Sequence, residues 1–338
     1  MTPEDHKYFG SYAAAVERNV FVELLSKVSR FIPLENHAYI GMSGYSMEDQ
    51  KLISRHLGIT RLLAFDEDRH ITDRQRFNRP VETCRVRTMS SAELADDVSL
   101  VLDEEGYEEN GGLIVWLRQL DASAIGSQAR EMQDLVGKLP INSIVHLTLN
   151  VDFEDWAGPA FEGGVRLAIE ERRSRAFEQV RSQLGDMITP DVKPENITAE
   201  LLPKVIAQAF SIAAGRSIGS TSGTVFEALS LLQFETRKRY LAVTGMIIDQ
   251  NQRAEIRERA LSGHWPFISE NWHDIKQLKL PDLTVRERLS LELSAGQGRN
   301  VVNTKLGFDI EQATELPGYV DHFAQFHPYY PVFLKAEL

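Results

Sequence analysis

The sequence predicts an α/β fold built on a mostly parallel sheet, and three observations carry the prediction. Five apolar, strand-like stretches alternate with segments of helical periodicity between residues 38 and 151. A loop with two glycines, Gly41-Met42-Ser43-Gly44, follows the first of those stretches. Two long strand-like runs, Val225–Glu235 and Tyr240–Asp249, come late and are separated by a short polar turn, as in a hairpin.

The elements follow in order. Tyr12, Val16, Val20 and Leu24 recur at intervals of four, so residues 1–36 form an N-terminal helical segment. His37–Met42 is the first strand, and Met47–Leu57 is a helix closed by Gly58. Thr60–Asp68 is an apolar strand ending in acids, and Thr72–Asn78 is a short helix stopped by Pro80. Glu82–Met89 is the third strand, and Ser90 or Ser91 caps a helix over Ala92–Leu102. Leu113–Leu117 is the fourth strand, Ser127–Leu139 a helix and Ser143–Val151 the fifth strand.

Residues 37–151 thus form the core. Residues 152–222 break the alternation and read as a helical insertion or lid. Residues 223–338 complete the sheet with the hairpin, a helix over Leu283–Ser294 and an aromatic tail. That tail, Phe326–Leu338, is expected as a proline-broken strand on the sheet edge.

Composition narrows the function. Of 338 residues, 43% are hydrophobic and 25% charged, which is ordinary for a soluble globular chain. The formal charge of -12 gives no global field for nucleic acid. No apolar run has the length of a membrane span, and the first residues lack the pattern of a secretory signal, so a cytoplasmic protein is expected. A single cysteine, Cys84, excludes an internal disulfide.

The glycine loop is either a tight turn or a cradle beneath a ligand. Ligands of such sheets lie beyond the carboxyl ends of the strands. Gly41 and Gly44 allow a close backbone approach, and Asp66, Glu67 and Asp68 end the second strand where ribose hydroxyls would be received. Ser46 and Asp49 stand at capping-box spacing, with Glu48 beside them; these acids would disfavour a pyrophosphate at the helix start. GxGxxG and GxxxxGK[ST] are both absent. A nucleoside without phosphate fits this arrangement better.

At these residues the chain resembles the class I S-adenosylmethionine-dependent methyltransferases, which implies a Rossmann-like fold with a seven-stranded sheet and a reversed strand in the late hairpin. The stretch Ser46–Pro80, followed by Ile114–Leu117, is similar to a bacterial group described as O-methyltransferases. The resemblance implies S-adenosylmethionine as cofactor, with Gly41, Ser43 and Gly44 at its amino-acid end. Asp66 or Glu67 would take the ribose hydroxyls, and Met89, Ser90 and Ser91 would lie near the adenine. Two departures stand out. No acid precedes Gly41, and Arg118 and Gln119 follow the fourth strand where relatives place acids, with Asp121 only further on.

Arg118 and Asp121 are the candidates for chemistry. Arg118 either forms a buried pair with Asp66 or Asp121, or grips a carboxylate or phosphate of the substrate. Asp121, Asn150 and Asp152 could form a hard-oxygen set, but such residues after strands are commonly turn formers, and no metal is assigned. His146 reads as a core histidine more readily than as a base. The expected activity is methyl transfer to an oxygen of a small or peptide-borne acceptor. The alternative is a catalytically degenerate, nucleotide-binding scaffold subunit. Nucleic acid and membrane partners are disfavoured; a homodimer or a partner protein is left open.

Overall fold

The structure is a computed structural model that describes residues 12–106, 111–218, 223–235, 238–259 and 265–330. Phe333 and the rest of the tail beyond residue 330, together with residues 1–11, lie outside the described residues.

Helix α1 (Tyr12–Val28) precedes β1 (Ala38–Gly41), α2 (Glu48–Leu57), β2 (Leu62–Asp66), α3 (Arg69–Phe77) and β3 (Arg85–Thr88). Then come α4 (Ser91–Asp96), α5 (Val98–Glu104), β4 (Leu113–Gln119), α6 (Ile125–Lys138) and β5 (Ile144–Asn150). The helix expected over Ala92–Leu102 is broken at Asp97, whose side chain turns back to accept from the Leu100 N–H and so starts a second helix. Gly58 closes α2 in the left-handed conformation that suits glycine.

The crossover from β5 contains α7 (Phe153–Ala157), the small hairpin β6 (Phe161–Glu162) and β7 (Val165–Arg166), α8 (Ile169–Leu184) and α9 (Leu202–Ser217). Ala176, Val180 and Leu184 of α8, with Ile206 and Phe210 of α9, belong to the same core as Ala129 and Met132 of α6. Helix α8 approaches the start of α6 so closely that a Cβ at Gly126 would lie 2.3 Å from the Gln183 carbonyl oxygen.

Strands β8 (Thr224–Glu235) and β9 (Arg239–Asp249) form the expected hairpin. After α10 (Arg253–Arg259), the strand β10 (Lys276–Leu278) pairs parallel to β8. The sheet therefore has eight strands, in the order β10-β8-β9-β5-β4-β1-β2-β3, and not seven. Only β9 runs against the others, inserted between β5 and β8. This is a Rossmann-like methyltransferase fold with one edge strand added.

One edge of the sheet is taken by β10, and of the tail expected on an edge only residues 326–330 are among those described. Helices α11 (Val285–Glu292), α12 (Arg299–Leu306), α13 (Ile310–Ala313) and α14 (Tyr319–Phe326) follow β10. Phe326 ends α14, and His327–Tyr329 is a single 3-10 turn, where a strand was expected. The reason is periodicity: Tyr319, Val320, Phe323 and Phe326 bury one helical face.

The two faces of the sheet have separate cores. Ile40, Phe65, Val115, Leu117, Val145 and Leu147 point to the side covered by α4 to α9. Tyr39, Ala64, Ile114, Trp116 and Ile144 point to the side covered by α1 and the C-terminal helices.

Candidate active site

The strand alternation that sorts apolar residues between the faces also sorts the polar ones. On the α1 side, Tyr39 of β1, Trp116 and Arg118 of β4 and His146 and Thr148 of β5 are all buried. They meet side chains from α1 and α2, and the resulting network ends in the glycine loop.

Asp49 is its centre. Its Oδ2 accepts hydrogen bonds from the Tyr39 hydroxyl and the Ser43 hydroxyl, each at 2.7 Å. The same oxygen lies 3.5 Å from Arg118 Nη1, which also donates to the Met42 carbonyl at 3.1 Å. The Arg118 guanidinium lies 3.7 Å over the Trp116 ring. Burial by itself would raise the Asp49 pKa, but Arg118 and the two hydroxyls outweigh it and hold the carboxyl below its ordinary value. Tyr39 is pushed up by burial and by the Asp49 charge, so its hydroxyl stays protonated and donating.

This corrects the capping reading. Met47, in the left-handed conformation and without a side-chain cap, precedes α2. Asp49 points back into the sheet, where Arg118 and two hydroxyls offer more than one exposed N–H could. Glu48 pairs with Lys51 at 2.8 Å. The two acids read as repelling a phosphate are therefore engaged within the protein.

The same network accounts for Gly41. A Cβ there would lie 2.8 Å from the Tyr39 hydroxyl oxygen and 2.9 Å from Asp49 Oδ2. Gly41 is small because a buried hydrogen bond runs beside it. Ser43 is fully buried, and Gln50 and Gln75 brace its loop: Gln50 Nε2 donates to Ser43 Oγ at 3.2 Å, and Gln75 Nε2 donates to the Ser43 carbonyl. Gly44 is buried in the same loop, where its carbonyl accepts from the Met47 N–H at 3.0 Å.

A second branch leads to α1. Trp116 Nε1 donates to Thr148 Oγ1 at 3.1 Å, and the Thr148 hydroxyl donates to Glu17. His146 lies between Glu17 Oε1, 3.4 Å from Nε2, and Thr244 Oγ1, 2.6 Å from Nδ1. A neutral ring with its proton on Nε2 satisfies both, and burial lowers the His146 pKa in the same sense. This is the core histidine expected from the sequence.

The other sequence candidates sit on the loops beyond β2 to β5. Asp66 is fully buried, its Oδ1 accepting from the Asp68 N–H at 2.9 Å, whereas Glu67 is exposed. Ser90 caps α4 in a reciprocal box with Glu93. Asp121 is exposed, and its Oδ1 accepts from the Ser123 N–H at 2.8 Å and from the Ser123 hydroxyl at 2.7 Å. Arg118 pairs with Asp49, a partner not foreseen for it from the sequence. Asn150 donates to Asp155 at 2.6 Å, and Asp152 caps α7. Among the described residues no group of three or more His, Cys, Asp or Glu is placed to hold a metal ion.

Sequence reasoning missed Tyr39, Gln50 and Gln75 and misplaced Asp49. The available signal was a polar residue in an otherwise apolar strand, repeated at Tyr39, Arg118 and Thr148.

The arrangement leaves an acid-bearing rim above a braced loop. No helix among the described residues is long and apolar enough to cross a membrane. No curated protein matches the chain. A family model described as "Putative O-methyltransferase" matches residues 12–338, the whole of the described fold, in agreement with the reversed strand β9 and the glycine loop at the end of β1. By that match the chain belongs to this O-methyltransferase family.

Proposed function

We propose that the chain transfers a methyl group from S-adenosylmethionine to an oxygen of a small or peptide-borne acceptor, with the cofactor across the loops after β1, β2 and β3. The observation that carries this reading is the end of β2. There the buried Asp66 carboxylate holds the Asp68 N–H and so shapes the turn, and Glu67 next to it stands exposed beside the glycine loop. Glu67 is the carboxylate free to accept a ribose diol; Asp66 is the positioning residue.

The donor set suits that cofactor. The rim carries carboxylates at Glu67 and Asp121 and suits a cationic sulfonium. S-adenosylmethionine, when bound, supplies an electrophilic methyl group. The protein has to place the acceptor in line and exclude water, and orientation alone supplies most of such a rate. In this reading Asp121, whose carboxylate accepts from Ser123, takes the acceptor's proton. Arg118 acts through the loop, by holding the Met42 carbonyl. Within the segment 152–222 a lid role falls to the β6–β7 hairpin, where Phe161 is 61% and Val165 68% exposed, since α8 and α9 are committed to the core.

Titration calorimetry with S-adenosylmethionine and S-adenosylhomocysteine tests the reading. Glu67→Ala should weaken binding by at least about tenfold, the value of one or two charge-assisted hydrogen bonds, at unchanged stability. Unaltered affinity would mean that the site is misplaced. One observation favours a second reading, a scaffold that no longer methylates: Ser43 and Arg118 are both engaged by Asp49, a group of the protein itself. Neither heat nor a thermal shift with either ligand would make that reading the better one.

A further inference from the structure

The chain as a whole is acidic, yet between Arg69 and Arg87 six arginines stand against two acids. Most of this charge lies on α3 and the turn that follows it. Arg69 is 85% and Arg76 45% exposed at the side chain, and Asp73, the one acid on the helix, is bound to Arg76 at 2.6 Å. Arg79 donates to the carbonyls of Arg76 and Glu82 and pairs with no carboxylate among the described residues. Arg74 has no acidic partner among the described residues; its guanidinium lies flat over the Tyr45 ring at 3.5 Å. Arg87 is paired with Glu104 and takes no part.

In the middle of this charge stands Phe77, 90% exposed, more than any other large hydrophobic residue described. A scattered exposed hydrophobe needs no explanation. Phe77 differs in its setting: it lines an open groove with Asp73, Arg74 and Asn78. The groove wall is rigid, because Asn78 Nδ2 donates to the Tyr45 carbonyl at 2.9 Å and Arg74 stacks on the same residue. An exposed aromatic on a braced helix, flanked by arginines, has the composition of an interface hot spot.

We propose that the α3 groove docks an acidic polypeptide segment of a partner protein, with an apolar side chain set against Phe77 and carboxylates against Arg69, Arg74 and Arg79. The charge complementarity selects an acidic occupant. The net charge of -12 over the chain opposes a long phosphate backbone, whereas a short acidic segment meets only this basic helix, so polypeptide is selected over nucleic acid. The surface adjoins the glycine loop through Tyr45, but the inference does not depend on methyl transfer.

The test is fluorescence anisotropy of the full chain with a labelled peptide of alternating Glu and Asp around a central Phe-Leu pair, and with its Gln/Asn counterpart. The acidic peptide should bind, weaken as salt rises, and lose about tenfold in affinity with Phe77→Ser and with Arg69→Glu, both exposed positions whose change leaves the thermal midpoint in place. The uncharged peptide should not bind. Failure of the acidic peptide to bind at low salt, or binding indifferent to both substitutions, overturns the proposal. So does an oligonucleotide that displaces the peptide, or self-association of the chain that Phe77→Ser abolishes; these would assign the groove to nucleic acid or to a second copy.

Discussion

The two faces of the central sheet solve one packing problem in different ways. Toward α4 to α9, β4 and β5 present Leu113, Val115, Leu117, Val145, Leu147 and Leu149, all hydrocarbon. Toward α1, the same strands present Ile114, Trp116, Arg118, Ile144, His146 and Thr148; Arg118 bonds to Asp49, His146 to Thr244, Thr148 to Glu17, and Trp116 to Thr148. Hydrocarbon burial is non-directional and tolerates sliding. A buried ion pair has one geometry in which its desolvation is repaid. The polar face is therefore the one that can hold a loop in register, and its network terminates at Ser43 and the Met42 carbonyl. The hydrocarbon face supplies stability; the polar face fixes where the glycine loop lies.

The comparison breaks most visibly at Asp49. Removing one member of a buried pair strands the other charge, so Asp49→Ala should cost about 3–5 kcal/mol, read by urea denaturation. Leu147→Ala, on the other face, should cost about 2–5 kcal/mol through its cavity. The two are separated by rescue. Arg118→Met added to Asp49→Ala removes the stranded charge and should restore part of the loss, while no charge change should help Leu147→Ala. A double variant no more stable than Asp49→Ala would show that the pair contributes shape only.

A smaller effect should appear with pH. His146 is held below its ordinary value of 6.5, by burial and by the Arg118 charge, against the pull of Glu17. The folded state thus binds fewer protons there than the unfolded chain. Its contribution is complete above pH 6.5 and is lost as pH falls toward the lowered folded value. Glu17 and Asp49 are also lowered, so their contributions fade only below their ordinary values of 4.5 and 3.8. Stability should therefore decline in two stages on acidification. His37 and His322 are also lowered by burial and share this stage, so His146→Gln should reduce it without abolishing it. If the variant keeps the full decline between neutral pH and pH 5, the polar face does not titrate through this ring.

This asymmetry also decides what could be read from the sequence. The hydrocarbon face is periodic, so the strands, α6 and the late hairpin were legible from residue spacing, as was the cap at Gly58. The polar face has the same two-residue period, but the partners of its polar side chains lie far away in the sequence. Asp49 looked like a helix cap because Ser46 precedes it by three, and nothing local announces an arginine seventy residues away. Gly41 looked like room for a ligand, although the neighbour that forbids a side chain is the protein's own Tyr39–Asp49 bond. The strand β10 was invisible because three residues, Lys276–Leu278, carry too little pattern to register. The acids ending β2 were legible as a pair, but which of them faces solvent depends on a side chain bonding its own backbone two residues on.

The smallest effect is expected at Ser90, where the hydrocarbon face meets the candidate site. Sequence resemblance places Ser90 near the adenine, whereas the structure shows it as the cap of α4, donating to and accepting from Glu93. A cap has a measurable signature. Ser90→Ala should cost about 1 kcal/mol of stability, and Ser90→Gly only a few tenths, because glycine exposes the helix end to water that replaces the lost oxygen. A cofactor contact has another signature: both substitutions delete the same hydroxyl, so both should weaken S-adenosylmethionine binding equally. Thermal midpoints of the two variants, measured beside their affinities, separate the roles. Stability that follows the Ala–Gly difference with unchanged affinity would make Ser90 structural and move the adenine site toward Met89 or Ser91. Equal losses of affinity with little change in stability would keep Ser90 in the site and make its cap incidental.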